Sequence, residues 1–406
     1  DLGKTHALLI TQGGRIVFEL YAPGYSCDGM LHTMSIAKMM GGVVGGVMHN
    51  EGLIDIHQPT DFKAWQKKDN DPRAAITYAQ ILQMVSGQKW SELPDMLGMA
   101  FGSGYDDLAK YALDKPLAHA PGTHYEYSDG APGLIGYALR TRLNGGANEV
   151  DRYVRTNILN PLGMSNTELE YDKKGTWYGS SGVRWSPCDL ARFAHLLMRD
   201  GVWDGERLLP ERWVDFMRTP TPASLAPESA IRQQYKAGYG VTAFVWDMDF
   251  NTQDLQVDAF GHLGFGGNIL KAIPSKDAII ILVGGQADPV SAFPRRIEKV
   301  HAIGDAIPLL PTPSKDAVAP LLANCLEAVE QGVKTSDVTK GVGDRFCHCM
   351  NEESEGNEGM RAELGRLIAM SPQERDTLIS AKQTLTDILA GYAACEAEAN
   401  GGQSTE

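Results

Sequence analysis

Long apolar runs are missing. No stretch approaches the roughly 18 uninterrupted apolar residues that a membrane-spanning helix needs, so no span is expected. Positive charge is in deficit as well. Lys and Arg number 37 against 51 Asp and Glu, a formal charge of −14, and a surface of that sign repels phosphate backbones and anionic lipid. Nucleic acid and anionic membranes are therefore excluded as partners. No G-x-S-x-G elbow surrounds a serine, and neither an H-E-x-x-H pair nor a P-loop is present, which sets aside α/β-hydrolase, zinc-protease and nucleotide-binding plans. The first residues, Asp1 to Thr5, lack the composition of a signal peptide and run almost at once into a strand, which reads as a processed or trimmed chain.

Cysteine is sparse, with six in the chain, yet Cys325, Cys347, Cys349 and Cys395 fall in the last quarter. Clustering of that kind is read as disulfides in an oxidising compartment, as a metal site on Cys347-His348-Cys349, or as buried thiols. Zinc sites favour C-x-x-C pairs, and none is here, so disulfides lead. On this basis a periplasmic or secreted location is expected, and no metal or cofactor. With 43% hydrophobic and 22% charged residues the chain is an ordinary globular protein. At 406 residues it is long enough for one large domain and an appendage.

The stretch around Ser35 carries the chemistry. In Ser35-Ile36-Ala37-Lys38, the lysine three residues on shares a helical face with the serine, so its amine can sit beside the hydroxyl. Serine alone is a poor nucleophile at neutral pH and needs such a neighbour. The following run Met39 to Met48, with Gly41, Gly42, Gly45 and Gly46, predicts a tightly buried helix that dries the lysine stem. Upstream, Ala7 to Ile10 and Ile16 to Tyr21 flank Gly13-Gly14, a hairpin pattern. Downstream, Thr77 opens and Gly87 closes a predicted helix over 76–87, and Trp90 follows it. Ser186-Pro187-Cys188-Asp189 starts another helix with a serine cap. Trp203-Asp204-Gly205 reads as the start of a loop. Residues 237–247 and 255–285 read as strands, with Ile279 to Val283 the most buried, and 293–305 as a helix on that sheet.

Three motifs stand in order: Ser35 to Lys38; Tyr127-Ser128-Asp129; and His262-Leu263-Gly264. Together with Asn160-Pro161-Leu162-Gly163-Met164 and the Thr77 to Gly87 segment, they resemble the serine β-lactamase and penicillin-binding superfamily. The likeness is greatest to the class C, esterase and 6-aminohexanoate-dimer hydrolase branches and covers roughly residues 5–300. It implies an α/β fold of the β-lactamase/transpeptidase type: a central antiparallel sheet flanked by helices, with an inserted all-helical lobe. It also implies an ester or amide hydrolase acting through an acyl-enzyme on Ser35. Lys38 and Tyr127 would activate the serine, and the N–H groups of Ser35 and Phe265 would form the oxyanion hole. Asp129, His262, Gly264 and Trp90 would contact substrate. A D-alanyl-D-alanine carboxypeptidase, a β-lactamase and a non-catalytic scaffold are the competing readings.

Two positions depart from the family pattern. Asp129 stands where relatives carry asparagine, and His262 where many carry lysine. Cys27 and Cys188 are both implied to lie near the active-site end; a bridge between them is open, two unpaired cysteines being the plainer expectation.

The segment Pro308-Leu309-Leu310-Pro311-Thr312-Pro313 breaks any helix or central strand. A hydrolase domain over 1–306, a proline-rich linker over 307–314 and a helical, cysteine-containing extension over 315–406 are expected.

Overall fold

A computed structural model describes residues 5–67, 69–246, 258–284 and 289–310. The expected tail helices and the cysteines Cys325, Cys347, Cys349 and Cys395 lie outside these residues. Residues up to Pro308 form one compact unit.

Two strands open the chain, β1 (Thr5–Gln12) and β2 (Arg15–Tyr21), paired antiparallel through a turn where Gly13 and Gly14 have φ of 59° and 72°. Side chains favour negative φ, so glycine is the residue for such a turn. A short strand β3 (Leu31–His32) leads into the Ser35 segment and then α1 (Lys38–Asn50). Helices α2 (Tyr78–Leu82), α3 (Leu108–Leu113) and α4 (Gly130–Arg142) follow. Strands β4 (Thr167–Leu169) and β5 (Val183–Trp185) join β3 in a small sheet of order β3-β5-β4, and α5 (Pro187–Met198) leaves it. The hairpin β6 (Val202–Trp203) and β7 (Glu206–Arg207) occupies the place where a loop is expected, because Asp204 and Gly205 both take positive φ and close a two-residue turn. The chain then returns through β8 (Gly238–Tyr239), β9 (Phe244–Val245), β10 (Phe260–Gly264), β11 (Asn268–Ile273) and β12 (Ala278–Gly284) to α6 (Pro289–Ala306), the last helix among the described residues.

The large sheet has the order β2-β1-β12-β11-β10-β9-β8, antiparallel throughout. All of β12 is buried, and its side chains alternate between two cores. Ile279, Ile281 and Val283 join the core built around α1 and α5, whereas Ile280 and Leu282 join the core that includes Val300 of α6. That two-sided burial explains why Ile279 to Val283 is apolar without alternation.

The glycines of α1 let other elements approach it. A side chain at Gly46 would meet the Trp213 indole at 2.6 Å, and one at Gly42 would meet Thr242 Oγ1 at 2.4 Å. The predicted helix over 76–87 is shorter than its pattern. Thr77 and Gln80 form a reciprocal capping box, but Met84 adopts φ 57° and the helix ends at Leu82.

Candidate active site

Ser35 sits on a single 3₁₀ turn, Met34–Ala37, at the head of α1. Two contacts fix that turn. Trp185 Nε1 of β5 donates to Thr33 Oγ1 at 2.6 Å. A Cβ at Gly264 would lie 2.0 Å from the Thr33 carbonyl oxygen, so glycine there lets the end of β10 press against the segment carrying Ser35. Below it, a disulfide joins Cys27 to Cys188, with Cα atoms 5.2 Å apart, and Cys188 N donates to Cys27 O at 3.0 Å. The two cysteines are therefore bonded rather than unpaired: β3 and β5 pair side by side, which carries the residue before β3 to the head of α5.

Lys38 is fully buried, and its Nζ has three acceptors. It donates to Ser35 Oγ at 2.9 Å, to Asp129 Oδ1 at 2.5 Å and to Ser180 O at 3.2 Å. Three acceptors match the three donors that a lysine ammonium offers. Nζ also lies 4.7 Å from the centroid of the Tyr127 ring. Tyr127 and Asp129 reach the lysine from the start of α4. There the intervening Ser128 Oγ accepts from Gly130 N at 3.1 Å and Ala131 N at 3.2 Å, satisfying donors that the helix itself leaves open.

The third motif stands across from this group, the His262 ring centroid being 6.2 Å from that of Tyr127. The imidazole is completely buried. Its Nδ1 lies 2.6 Å from Leu263 O, and its Nε2 lies 3.3 Å from the Tyr239 hydroxyl. Burial first, and the nearby Lys38 charge second, push its pKa from 6.5 to about 3, so the ring is neutral at working pH. Phe265, 58% exposed, follows at the rim, and its carbonyl accepts from Asn268 Nδ2 at 2.8 Å.

Trp90 is 7% exposed and packs with Met99 and Leu108; a Cβ at Gly130 would touch its ring at 2.7 Å. It supports the start of α4 from behind. Two participants escaped the sequence reading. The Ser180 contact is a backbone carbonyl, which leaves no side-chain signature. Tyr239 lies in a short strand with no motif around it. Among the described residues no group of His, Cys, Asp and Glu is arranged to hold a metal ion, and no helix is long and apolar enough to cross a membrane.

Residues 4–304 match the family model described as Beta-lactamase. The chain belongs to the beta-lactamase family. Its similarity to a 6-aminohexanoate-dimer hydrolase of Paenarthrobacter ureafaciens is 23% identity over 310 residues, 70% of this chain and 74% of that protein. Among solved structures, an octameric penicillin-binding protein homologue from Pyrococcus abyssi superposes with a TM-score of 0.55 at 18% identity, covering 80% of this chain and 78% of that one. A D-stereospecific amidohydrolase from Streptomyces gives 0.53 at 17% identity, covering 73% and 93%. At these identities the structures establish the fold: the large antiparallel sheet with flanking helices is that of the beta-lactamase family.

Proposed function

We propose that the protein hydrolyses an ester or small linear amide through an acyl-enzyme on Ser35. One observation carries the reading: the buried Lys38 ammonium donates to Ser35 Oγ at 2.9 Å beside the Tyr127 ring. Ser35 Oγ attacks the carbonyl carbon, and the oxygen takes the negative charge, held by the N–H groups of Ser35 and Phe265. A lysine whose protons are all engaged is a poor base. The Oγ proton therefore passes to the Tyr127 hydroxyl, whose own proton goes to the leaving atom as the carbonyl–leaving-group bond breaks. Lys38 keeps Ser35 Oγ oriented and stabilises charge as it develops. Water then attacks the acyl-enzyme by the same relay run backwards.

Neutral His262 supplies no cation for a substrate carboxylate, and Asp129 lacks the amide donor of asparagine. Both features support cleavage of uncharged esters and amides over β-lactams and peptidyl-D-alanine. The Cys27–Cys188 bridge supports an oxidising compartment, periplasmic or extracellular.

The test is a panel of p-nitrophenyl esters, nitrocefin and a D-Ala-D-Ala peptide at one pH and salt. The expected kcat/KM for a short-chain ester exceeds that for nitrocefin by more than tenfold. A nitrocefin value within tenfold of the ester's, or above it, would move β-lactam hydrolysis to the front. No turnover of any member would favour a non-catalytic binding protein.

A further inference from the structure

Resting on that reading of Ser35 and Lys38, we propose that Asp129 is the residue that selects for uncharged substrates, by cancelling the Lys38 charge inside the site. The observation is a charge count over the groups that face Lys38 Nζ. Ser35 Oγ and the Ser180 carbonyl are neutral, and the Tyr127 ring contributes no formal charge. Across the site His262 is buried with both ring nitrogens facing protein oxygens. Asp129 Oδ1, 2.5 Å from Nζ, is the anion of the set. Lys38 and Asp129 have side chains 0% and 11% exposed, so solvent does little to screen either charge. An ammonium and a carboxylate at this distance present almost no net charge to a ligand a few ångströms away. A lone buried ammonium, by contrast, projects its field strongly through the low-dielectric wall.

Two consequences follow for recognition. A carboxylate-bearing acyl donor enters a site with no net positive charge and gives up its water without return. An uncharged acyl donor loses little water and meets the same hydrogen-bonded serine. Asp129 meets the site through its hydrogen bond from Lys38 Nζ. It is a positioning residue that acts through Lys38, setting which charge the substrate can bring.

The experiment compares two p-nitrophenyl esters of equal acyl length on the full chain, one the monoester of glutaric acid with a free carboxylate, the other its methyl-capped counterpart. The wild type is expected to favour the capped ester at least tenfold in kcat/KM. Asp129→Asn keeps an acceptor for Lys38 but removes the charge, and it should shift the ratio at least tenfold toward the free acid. Asp129→Ser should shift the ratio the same way, and Asp129→Glu should keep the wild-type ratio. A merely structural role would lower both esters together and leave the ratio fixed. The proposal is overturned if both charge-removing variants keep the wild-type ratio within threefold while still turning over esters at Ser35. A wild type that favours the free acid overturns it without any variant. Absence of both ester turnover and Ser35 labelling in the wild type overturns the hydrolase reading itself, and this inference with it.

Discussion

Lys38 Nζ reaches three acceptors inside the protein, and in the proposed mechanism the activating unit is Lys38 and Tyr127 together rather than a single base. Lys38→Ala and Tyr127→Phe should each lower kcat by about two to four orders of magnitude, and the double variant little more than either alone, because groups that move one proton together are non-additive. Steady-state kinetics of the three variants check this; losses that multiply would mean independent roles. His262 gives a second prediction. Folded, its ring stays neutral down to about 3, while the unfolded chain takes up a proton below 6.5. Its contribution is therefore full above 6.5 and is lost as pH falls from 6.5 toward 3. Urea unfolding at pH 7 and pH 5 should show the wild type losing about 2 kcal/mol more than His262→Asn over that interval. Equal losses would mean that the ring is not held neutral. At this scale the grouping of Ser35, Lys38, Tyr127 and Asp129 was legible in the sequence, because their side-chain types and spacing form recognisable motifs. Ser180 acts through its backbone and Tyr239 through burial, and neither property is written in a residue type.

Between elements, the close approach of β10 to the turn carrying Ser35 depends on Gly264. A methyl group there would meet the Thr33 carbonyl oxygen at 2.0 Å, and backbone cannot yield as a flexible side chain does. Gly264→Ala should cost roughly 1–3 kcal/mol of stability by overpacking and lower ester kcat/KM at least tenfold, by moving Phe265 away from Ser35. Thermal melting and kinetics on the same preparation test both parts; a variant with wild-type activity would remove β10 from the site. The Cys27–Cys188 bridge ties residues 161 positions apart, so chain entropy sets its contribution at up to about 5 kcal/mol. Cys188→Ser should lower Tm by several degrees, and alkylation of the unreduced wild type should leave both thiols unmodified. The hairpin, α1 and the serine-capped α5 were legible from turn and capping residues. The bridge was not, since pairing depends on β3 lying against β5, a contact with no local pattern. The early end of α2 was hidden likewise, because Met84 takes a left-handed backbone in spite of its side chain.

At the scale of the whole molecule, three motifs spread over more than 200 positions meet: the first on the turn after β3 of the small sheet, the second just ahead of α4, the third on β10 of the seven-stranded sheet. β12 lies inside it between β1 and β11, and the chain leaves the sheet after β2 and returns at β8. The alternation of apolar residues predicts strands, but their order follows only from the family likeness, since a run such as Ile279 to Val283 is equally apolar toward both neighbours. All of this converges on one serine among the many in the chain. The most direct test is to incubate the full-length protein with an activated fluorophosphonate, then measure intact mass and map the modified peptide. The account predicts one adduct per chain, on Ser35, abolished by Ser35→Ala with the circular-dichroism spectrum unchanged. An adduct on any other residue, or none with a protein that still turns over esters, would contradict it.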